Sequence, residues 1–271
     1  MKTNPLRRYL RAGSLPHFFC SGCGAAQVMN FFLRAADEIN LDFDRLVAIG
    51  GVGCAARIPV YIHADALHGI HGRTLPWATG IKLHNPDLKV VIFAGDGDAV
   101  AIGGNHLIQA ARRNLDVTMI VVNNLNYAMT GGQVAPTTPE ELRTTTTPYG
   151  NREPRFDVCK LAMTAGATFV SRWNTYRSRQ AINAIKKALQ HKGFALVEIV
   201  SQCPTNFGRR ALGTGDPVKC LQWIEEHSVT IEEARKLPEQ ELRDKFVLGN
   251  FIEERRPVFE GSSIYAVERG G

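Results

Sequence analysis

The 271 residues, 44% of them hydrophobic, are enough to bury one substantial core, so the chain is predicted to form a single α/β domain with appendages. No apolar run approaches the ~20 residues that cross a bilayer, and no hydrophobic stretch follows the basic N-terminus, so we expect a cytoplasmic protein without membrane contact. The net charge of +6 is modest and its basic residues are scattered, which argues against nucleic acid but suits phosphate-bearing ligands or an acidic electron carrier.

The apolar pattern alternates between the helical period and short continuous runs, which is typical of proteins with a parallel sheet. The helical patterns lie at residues 25–40, 75–84, 107–111, 156–165 and 176–190. The continuous runs that we interpret as strands lie at 46–49, 90–94, 116–122, 168–170 and 194–200. Beyond residue 217 the pattern predicts helices around Trp223 and over 231–246, followed by an irregular tail.

Two turns at strand ends carry the polar residues of most interest. The strand at 90–94 runs into a Gly-Asp-Gly turn at 95–97, and the strand at 116–122 is followed by an Asn pair at 123–124. In a right-handed crossover both strands point the same way, so the two turns meet at one rim of the sheet, where α/β proteins bind ligands. A carboxylate and an amide oxygen suit Mg²⁺, and the glycines let the backbone turn tightly and approach a diphosphate. An ordinary turn between strand and helix is the alternative.

Six cysteines without a secretion signal argue for metal or cluster binding rather than a disulfide framework. Cys20 and Cys23 form a C-x-x-C turn before the first strand, Cys54 follows that strand, and Cys203 follows the last one. A lone C-x-x-C is typical of a redox dithiol or half a zinc site, whereas four such thiols favour a four-thiolate site. Spacing alone leaves zinc and an iron–sulfur cluster both open. The other two, which lie in helical patterns, are interpreted as core thiols: Cys159 and Cys220.

Together these motifs resemble the beta subunit of 2-oxoacid:ferredoxin oxidoreductases over residues 17–225. The Gly-Asp-Gly and Asn-Asn pair resembles the thiamine diphosphate motif. The further segments that carry the resemblance are C-S-G-C-G at 20–24, G-V-G-C-A-A-R at 51–57, H-G-R-T-L-P at 71–76 and S-Q-C-P-T at 201–205. The resemblance implies the thiamine diphosphate-binding fold, an open and mostly parallel sheet with helices on both faces. It also implies that the four turn cysteines hold one 4Fe-4S cluster near that cofactor.

The same resemblance implies roles for individual residues. Mg²⁺ would be held by the side chains of Asp96 and Asn124 and by the carbonyl of Asn126. Arg57 and His71 would act in catalysis, Arg57 on the substrate carboxylate and His71 on a proton. A surface arginine is the alternative for Arg57. The implied cofactor-binding residues are Gly53, Cys54, His71, Gly72, Arg73, Gly95, Asp96, Gly97, Asp98, Asn124, Asn126, Tyr127, Ala128, Met129 and Thr130. Met129 is either a specificity residue or a core filler.

The resemblance divides the chain into an N-terminal arm (1–16), a thiamine diphosphate and Mg²⁺ domain with the iron–sulfur site (17–215), and a helical extension and tail (216–271) that docks on a partner. It implies oxidative decarboxylation of a 2-oxoacid with coenzyme A to acyl-CoA, CO₂ and reduced ferredoxin, or the reverse carboxylation. The H-G-R-T-L-P and C-P-T segments most resemble the branch that uses 2-oxoglutarate and makes succinyl-CoA. Pyruvate and branched-chain 2-oxoacids are the alternatives.

One sheet leaves no room for the domain that supplies the glutamate activating the cofactor's pyrimidine ring. We therefore expect activity only with an alpha subunit that carries this domain, in a heterodimer or a dimer of heterodimers, with ferredoxin and possible ferredoxin-like subunits as electron carriers. The Thr- and Pro-rich segment 134–155 is predicted to be a functional or interface loop. Two other classes remain: a non-oxidative thiamine diphosphate decarboxylase or synthase, and an electron-transfer subunit without thiamine diphosphate.

Overall fold

The apolar runs form the strands of one eight-stranded sheet in a computed structural model that describes residues 4–259. The strands are Leu46–Gly50 (β1), Asp65–His68 (β2), Lys89–Gly95 (β3), Val117–Asn123 (β4), Phe169–Asn174 (β5), Phe194–Val200 (β6), Ser228–Thr230 (β7) and Phe246–Glu253 (β8). Their spatial order is β2-β1-β3-β4-β6-β5-β8-β7. β1 to β6 pair in parallel, β8 is antiparallel to β5, and β7 is parallel to β8. The predicted open, mostly parallel α/β fold is confirmed.

Helices cover both faces of this sheet. They are Gly24–Glu38 (α1), Ile58–Tyr61 (α2), Thr74–His84 (α3), Gly104–Arg112 (α4), Val158–Thr164 (α5), Ser178–Gln190 (α6), Arg209–Ala211 (α7), Pro217–Glu226 (α8), Ile231–Ala234 (α9) and Glu239–Leu242 (α10). The apolar stripes of α1 and α6 pack on one face and those of α3, α4 and α5 on the other. Phe32 of α1 meets Phe93 of β3 edge to face, with ring centroids 5.1 Å apart. Fully burying a phenylalanine of this kind contributes about 1.5–3 kcal/mol.

The register of the strands brings the two polar turns together. Gly50 of β1 pairs with Phe93 of β3, and Gly95 at the end of β3 pairs with Val122 of β4. The chain leaves β1 for β2 on one side and returns for β3 on the other, so a crevice opens at the carboxyl ends of β1 and β3. Such a switch in strand order is where open α/β sheets bind ligands.

Two segments wound as π-helix begin directly after candidate ligands, Gly97–Ile102 after Asp96 and Pro204–Gly208 after Cys203. π-helical turns are rare and occur frequently at functional sites. Short 3-10 turns form at Pro5–Tyr9, Ala12–Ser14, Phe43–Arg45 and Ala55–Arg57.

The C-terminal part differs from the prediction. The helix expected over 231–246 is two short helices, α9 and α10, because Pro238 lies between them. The irregular tail expected after it is in fact the strand β8, which pairs with the edge of β5. Docking of 216–271 on a partner stays a prediction, and the tail from 260 onward lies outside the described residues.

The N-terminal arm packs on the domain: Arg11 Nε donates to the carbonyl of Ile62 at 2.8 Å. Residues 1–3 of this arm lie outside the described part of the chain. Between residues 4 and 259, no helix is both long and apolar enough to cross a lipid bilayer.

Candidate active site

A cavity of about 160 Å³ lies at the carboxyl ends of β1, β3 and β4, in the crevice where the strand order switches. Its lining residues are Val52, Gly53, Cys54, Ala55, His71, Gly95, Asp96, Gly97, Asp98, Asn124, Asn126, Tyr127, Ala128, Met129 and Thr130. The structure thus brings together the cofactor-binding residues expected from sequence, apart from Gly72 and Arg73. Gly72 stands just behind the cavity, where its N–H donates to Asp98 at 2.7 Å, and Arg73 donates to the carbonyls of Gly72 and Ile102.

Several buried oxygens at this cavity are left without a partner. Within residues 4–259, Asn124 Oδ1, Asn126 Oδ1 and Asp98 Oδ2 accept no hydrogen bond. The Asn126 side chain instead uses its amide nitrogen, which donates to the carbonyl of Asn124 at 2.6 Å. Each unpaired buried acceptor is unfavourable by about 1–3 kcal/mol, so this group of oxygens is suited to a cation or a donor that comes from outside the chain.

Asp96 adds a carboxylate to these amide oxygens. It is buried, and burial raises the pKa of Asp96 from 3.8 to about 7, even though the Thr137 hydroxyl donates to its Oδ2 and lowers that pKa. The negative charge of Glu198 contributes to the raised pKa. A divalent cation in the cavity would favour the ionised carboxylate. One carboxylate with amide oxygens is the donor set that Mg²⁺ accepts alongside phosphate and water, so the residues present fit a magnesium ion.

The glycines of the turn matter because they have no Cβ, and not because they adopt unusual backbone angles. Neither Gly95 nor Gly97 is among the glycines with positive φ in the described chain, so the tight-turn explanation is wrong. A Cβ at position 97 would lie 2.2 Å from the ring of Tyr127, whereas a Cβ at position 95 would meet nothing within 4 Å. Gly97 therefore lets the tyrosine ring pack closely, and Gly95 leaves open space that a diphosphate could approach.

Asp98 holds the predicted catalytic histidine. His71 Nδ1 lies 2.5 Å from Asp98 Oδ1, and the carboxylate is buried at the back of the cavity. Gly51 provides the room, because a Cβ there would overlap Asp98 Oδ2 at 2.1 Å. Arg57, the other predicted catalytic residue, is exposed and does not line the cavity. It ends the 3-10 turn that begins at Ala55.

The four turn cysteines lie near one another. Helix α1 begins directly after Cys23, as predicted, and the amides of Ala25 and Ala26 lower the pKa of that thiol while burial raises it. Burial is the main reason that the pKa of Cys54 is raised to about 12, and the thiols of Cys23, Cys203 and Cys20, in that order, contribute to the rise. The backbone brings the two loops into contact, since Gly24 N–H donates to the carbonyl of Gln202 at 3.0 Å.

The thiols range from buried to exposed. Cys203 is buried, Cys23 and Cys54 are half-buried, and Cys20 is exposed beside a groove of about 460 Å³. Among the residues that the structure describes, no group of three or more His, Cys, Asp or Glu side chains is arranged to hold a single metal ion. Cys159 and Cys220 are buried core thiols, as predicted.

Comparisons with known proteins agree with this geometry. The model of the C-terminal TPP-binding domain of thiamine pyrophosphate enzymes matches residues 49–199. The 2-oxoglutarate synthase subunit KorB of Methanocaldococcus jannaschii is 48% identical over 94% of this chain and 94% of that protein. The subunit of the same name from Archaeoglobus fulgidus is 52% identical over 73% of this chain and 74% of that protein. The chain belongs to the beta-subunit family of 2-oxoacid:ferredoxin oxidoreductases.

A solved structure extends the likeness to this family over nearly the whole chain. It is the 2-oxoglutarate:ferredoxin oxidoreductase from Magnetococcus marinus with 2-oxoglutarate, coenzyme A and succinyl-CoA bound. It is 30% identical to this chain, with a TM-score of 0.84, and the match covers 99% of this chain and 91% of that one. Family membership also makes this chain a subunit of an oxidoreductase, as the motifs predicted.

The sequence did not predict one group of buried, hydrogen-bonded side chains beside the site. The first Asn of the pair, Asn123, faces away from the cavity and donates to Glu198 Oε1 at 2.7 Å. Glu198 Oε2 accepts from Arg172 Nε at 2.7 Å, and Arg172 in turn bonds Asp157 at 2.5 Å. Alternation along β4 and β6 could have suggested that a charged residue inside an apolar strand has a buried partner, but nothing in the sequence identified that partner.

Proposed function

We propose that this chain, together with an alpha subunit, catalyses the oxidative decarboxylation of 2-oxoglutarate with coenzyme A to succinyl-CoA, CO₂ and reduced ferredoxin, or the reverse carboxylation. One observation carries the proposal. Cys54 lines the same cavity as Asp96 and Asn124, and it also belongs to the group of four thiols. A diphosphate cofactor and an electron-accepting cluster would therefore share one wall of the protein.

We assign Mg²⁺ to the side chains of Asp96 and Asn124 and to the backbone carbonyl of Asn126. Asn124 Oδ1 is buried without a hydrogen-bond partner in the described part of the chain, and burial raises the pKa of the Asp96 carboxyl to about 7. The metal would join these residues to the diphosphate of thiamine diphosphate. When bound, thiamine diphosphate supplies the carbanion and electron sink that decarboxylation needs. The open space over Gly95 would admit the diphosphate, and Tyr127 would pack beside it.

His71 is proposed to hold or move a proton at the reacting centre. Its Nδ1 is engaged by Asp98, so Nε2 is the nitrogen left to exchange a proton. The Asp98 carboxylate would orient the ring and stabilise the protonated form, as buried acids do for catalytic histidines. Arg57, exposed near Cys54, is proposed to attract the carboxylate of the incoming 2-oxoacid.

Cys20, Cys23, Cys54 and Cys203 are proposed to hold one 4Fe-4S cluster. Four cysteine thiolates are the usual ligand set of such a cluster, and these four thiols lie close enough for Cys23, Cys203 and Cys20 all to raise the pKa of Cys54. The amides at the start of α1 point at the Cys23 sulfur and would stabilise negative charge on it. The exposed position of Cys20 gives a redox partner such as ferredoxin a short approach to the cluster.

The choice of 2-oxoglutarate follows the relatives. Those with 46–52% identity are named 2-oxoglutarate synthase subunits, and the similar solved structure contains 2-oxoglutarate, coenzyme A and succinyl-CoA. Pyruvate and branched-chain 2-oxoacids remain the competing substrates.

The surface around the cavity suits an alpha subunit. Val52 and Met129 line the cavity and are exposed, and Ile70 and Ile102, which lie beside His71 and Gly72, are exposed as well. Exposed large apolar side chains that lie near one another are typical of protein–protein contacts. A partner that covers this rim would shield the cofactor from water and supply the missing glutamate.

The test is anaerobic co-purification with the alpha subunit, followed by viologen reduction with coenzyme A and each 2-oxoacid. We expect the complex to prefer 2-oxoglutarate, to contain about four iron atoms per beta chain, and to lose activity when this chain is assayed alone. A colourless, iron-free complex that binds thiamine diphosphate would favour the non-oxidative enzyme. An iron-containing complex that does not bind thiamine diphosphate with Mg²⁺ in calorimetry would favour the electron-transfer subunit.

A further inference from the structure

Two adjacent threonines of the 134–155 loop reach both halves of the candidate metal site. Thr137 and Thr138 are fully buried, which is uncommon for loop residues. The Thr137 hydroxyl donates to Asp96 Oδ2, so it touches the turn after β3. The Thr138 hydroxyl donates to the carbonyl of Leu125 at 2.7 Å, so it touches the turn after β4. A single dipeptide thus connects the two strand ends.

Leu125 is the residue that separates Asn124 from Asn126. Its φ of 62° lies in the left-handed region, which a leucine adopts at an energetic cost. Two hydrogen bonds hold it there: Asn123 Oδ1 accepts from its N–H at 3.1 Å, and Thr138 donates to its carbonyl. The directions of the two neighbouring amide side chains depend on this one strained residue, so the Thr138 contact bears on both.

The dipeptide is itself fixed in place. Buried Asn151 donates to the carbonyl of Thr138 at 2.9 Å, and the N–H of Phe156 donates to the carbonyl of Pro136 at 2.7 Å. Thr138 also accepts from the N–H of Ala135 at 2.9 Å. Because the backbone on either side is anchored, the two hydroxyls cannot follow Asp96 or Leu125 if these move.

We propose that Thr137 and Thr138 are positioning residues for magnesium: Thr137 fixes the rotation of the Asp96 carboxylate, and Thr138 fixes the backbone from which Asn124 and Asn126 project. This proposal rests on the proposed function of the cavity and gives the 134–155 loop its role. Groups that orient metal ligands through hydrogen bonds typically change metal affinity by about 10–100-fold when they are removed.

The experiment uses the complex with the alpha subunit and measures the Mg²⁺ dissociation constant by calorimetry at saturating thiamine diphosphate. Thr137→Val keeps the shape of the side chain and removes the hydroxyl, and we expect affinity to fall about 10–100-fold. Thr137→Ala removes the same hydroxyl with a smaller side chain, and it replaces Thr137→Val as the test variant if Thr137→Val does not assemble with the alpha subunit. Thr137→Ser keeps the hydroxyl and should restore affinity, whereas Thr138→Val should have a smaller effect because it acts through the backbone.

Thr144→Val is the matched control. Thr144 is a buried threonine of the same loop whose hydroxyl lies 2.7 Å from that of Thr147, within the loop itself. Its loss should leave the Mg²⁺ affinity unchanged. Mn²⁺ in place of Mg²⁺ adds a readout of ligand geometry: the electron paramagnetic resonance lines should broaden in Thr137→Val and Thr137→Ala but not in Thr137→Ser or Thr144→Val.

The outcomes separate the two proposals. A wild-type complex that binds thiamine diphosphate without any need for a divalent cation overturns both the proposed function and this inference. A wild-type complex that needs Mg²⁺, with Thr137→Val and Thr137→Ala binding it as tightly, overturns only the inference. Equal weakening in Thr144→Val also overturns it, since the effect would then belong to the loop in general.

Discussion

Two buried carboxylates show the difference between a group that is paired within the protein and a group that is available to a ligand. Glu198 in β6 and Asp96 after β3 are similarly buried, at 1% and 2% exposure. Glu198 accepts from Asn123 and from the Arg172 guanidinium, so its charge is balanced inside the fold. Asp96 accepts from a threonine hydroxyl, and its pKa is raised to about 7. The first carboxylate is satisfied by the chain, and the second is arranged for a cation that the chain does not supply.

The two asparagines between these carboxylates show the same contrast at adjacent positions. The side chain of Asn123 donates a hydrogen bond to Glu198, whereas Oδ1 of Asn124 faces the cavity and accepts no hydrogen bond from the described residues. Asn123 is the last residue of β4 and Asn124 is the first residue of the turn that follows, so one residue step changes a structural role into a candidate ligand role. Unsatisfied buried groups that converge on a cavity are therefore a better guide to function than burial or charge alone.

The largest effect should come from the satisfied carboxylate. Glu198→Gln removes one of the two carboxylates that pair with the buried Arg172 and leaves only Asp157 beside it, and loss of one partner of a buried ion pair destabilises a protein by about 3–5 kcal/mol. Urea unfolding of the purified chain measures this. Glu38→Gln, which removes an exposed pair with Lys186, is the control and should change stability little. Comparable losses in both variants would contradict the buried-pair account.

Asp96→Asn should weaken metal binding without destabilising the metal-free protein, which is the opposite of what we expect for Glu198→Gln. The amide keeps the shape of the side chain but removes the charge, so we expect Mg²⁺ affinity in the complex to fall by more than about 100-fold, beyond the effect of an outer hydrogen-bonding partner. The metal-free protein should lose no stability, because a neutral amide avoids the burial of an unpaired carboxylate. Calorimetry and metal-free unfolding together test the pair of expectations. A stability loss like that of Glu198→Gln would place Asp96 in the structural class.

Two of the cysteines permit the same comparison. Cys159 lies 3.2 Å from Glu198 Oε2 in the satisfied region, whereas Cys54 lies among the other thiols and lines the cavity. In anaerobically purified complex, Cys54→Ala should reduce iron from about four atoms per chain toward zero, and Cys159→Ala should retain it. Iron analysis and visible absorption give the answer. Equal iron in the two variants would remove Cys54 from the cluster.

The smallest effect concerns a pair of lysines at the opposite end of the sheet. Lys82 bonds Asp116 at 3.0 Å, whereas burial lowers the pKa of Lys89 from 10.5 to about 8. Between pH values of about 8 and 10.5, the unfolded chain keeps the Lys89 proton that the folded chain has released. The free energy of unfolding should therefore rise with pH across this window and fall as the pH drops toward 8. Lys89→Met should remove this rise and stabilise the protein at pH 7 by on the order of 1 kcal/mol. Thermal melts of the wild type and of Lys89→Met at pH 7 and pH 10 measure the pH dependence and the stabilisation. A pH dependence that is the same in both proteins would contradict this account of Lys89.

Much of the fold and part of the candidate site could be predicted from the sequence. The continuous apolar runs predicted β1, β3, β4, β5 and β6 because a strand buried on both faces is mostly apolar. The outer strands were missed: β2, at one edge of the sheet, is exposed and short, and β8, next to the edge strand β7, was expected to be an irregular tail. Such outer strands carry a weak pattern, since pairing with a neighbour, β1 for β2 and β5 for β8, defines them.

By itself, the sequence determined the parallel α/β fold, the position of Asp96 and Asn124 at one rim, the four turn cysteines and the family. Each of these depends on local patterns or on short motifs. Only the tertiary structure decided that Thr137 meets Asp96, that Asn123 turns to Glu198, and that Asp98 holds His71. Such contacts join residues far apart in the chain, and they depend on how loops fold back over the ends of the strands, which no local pattern encodes.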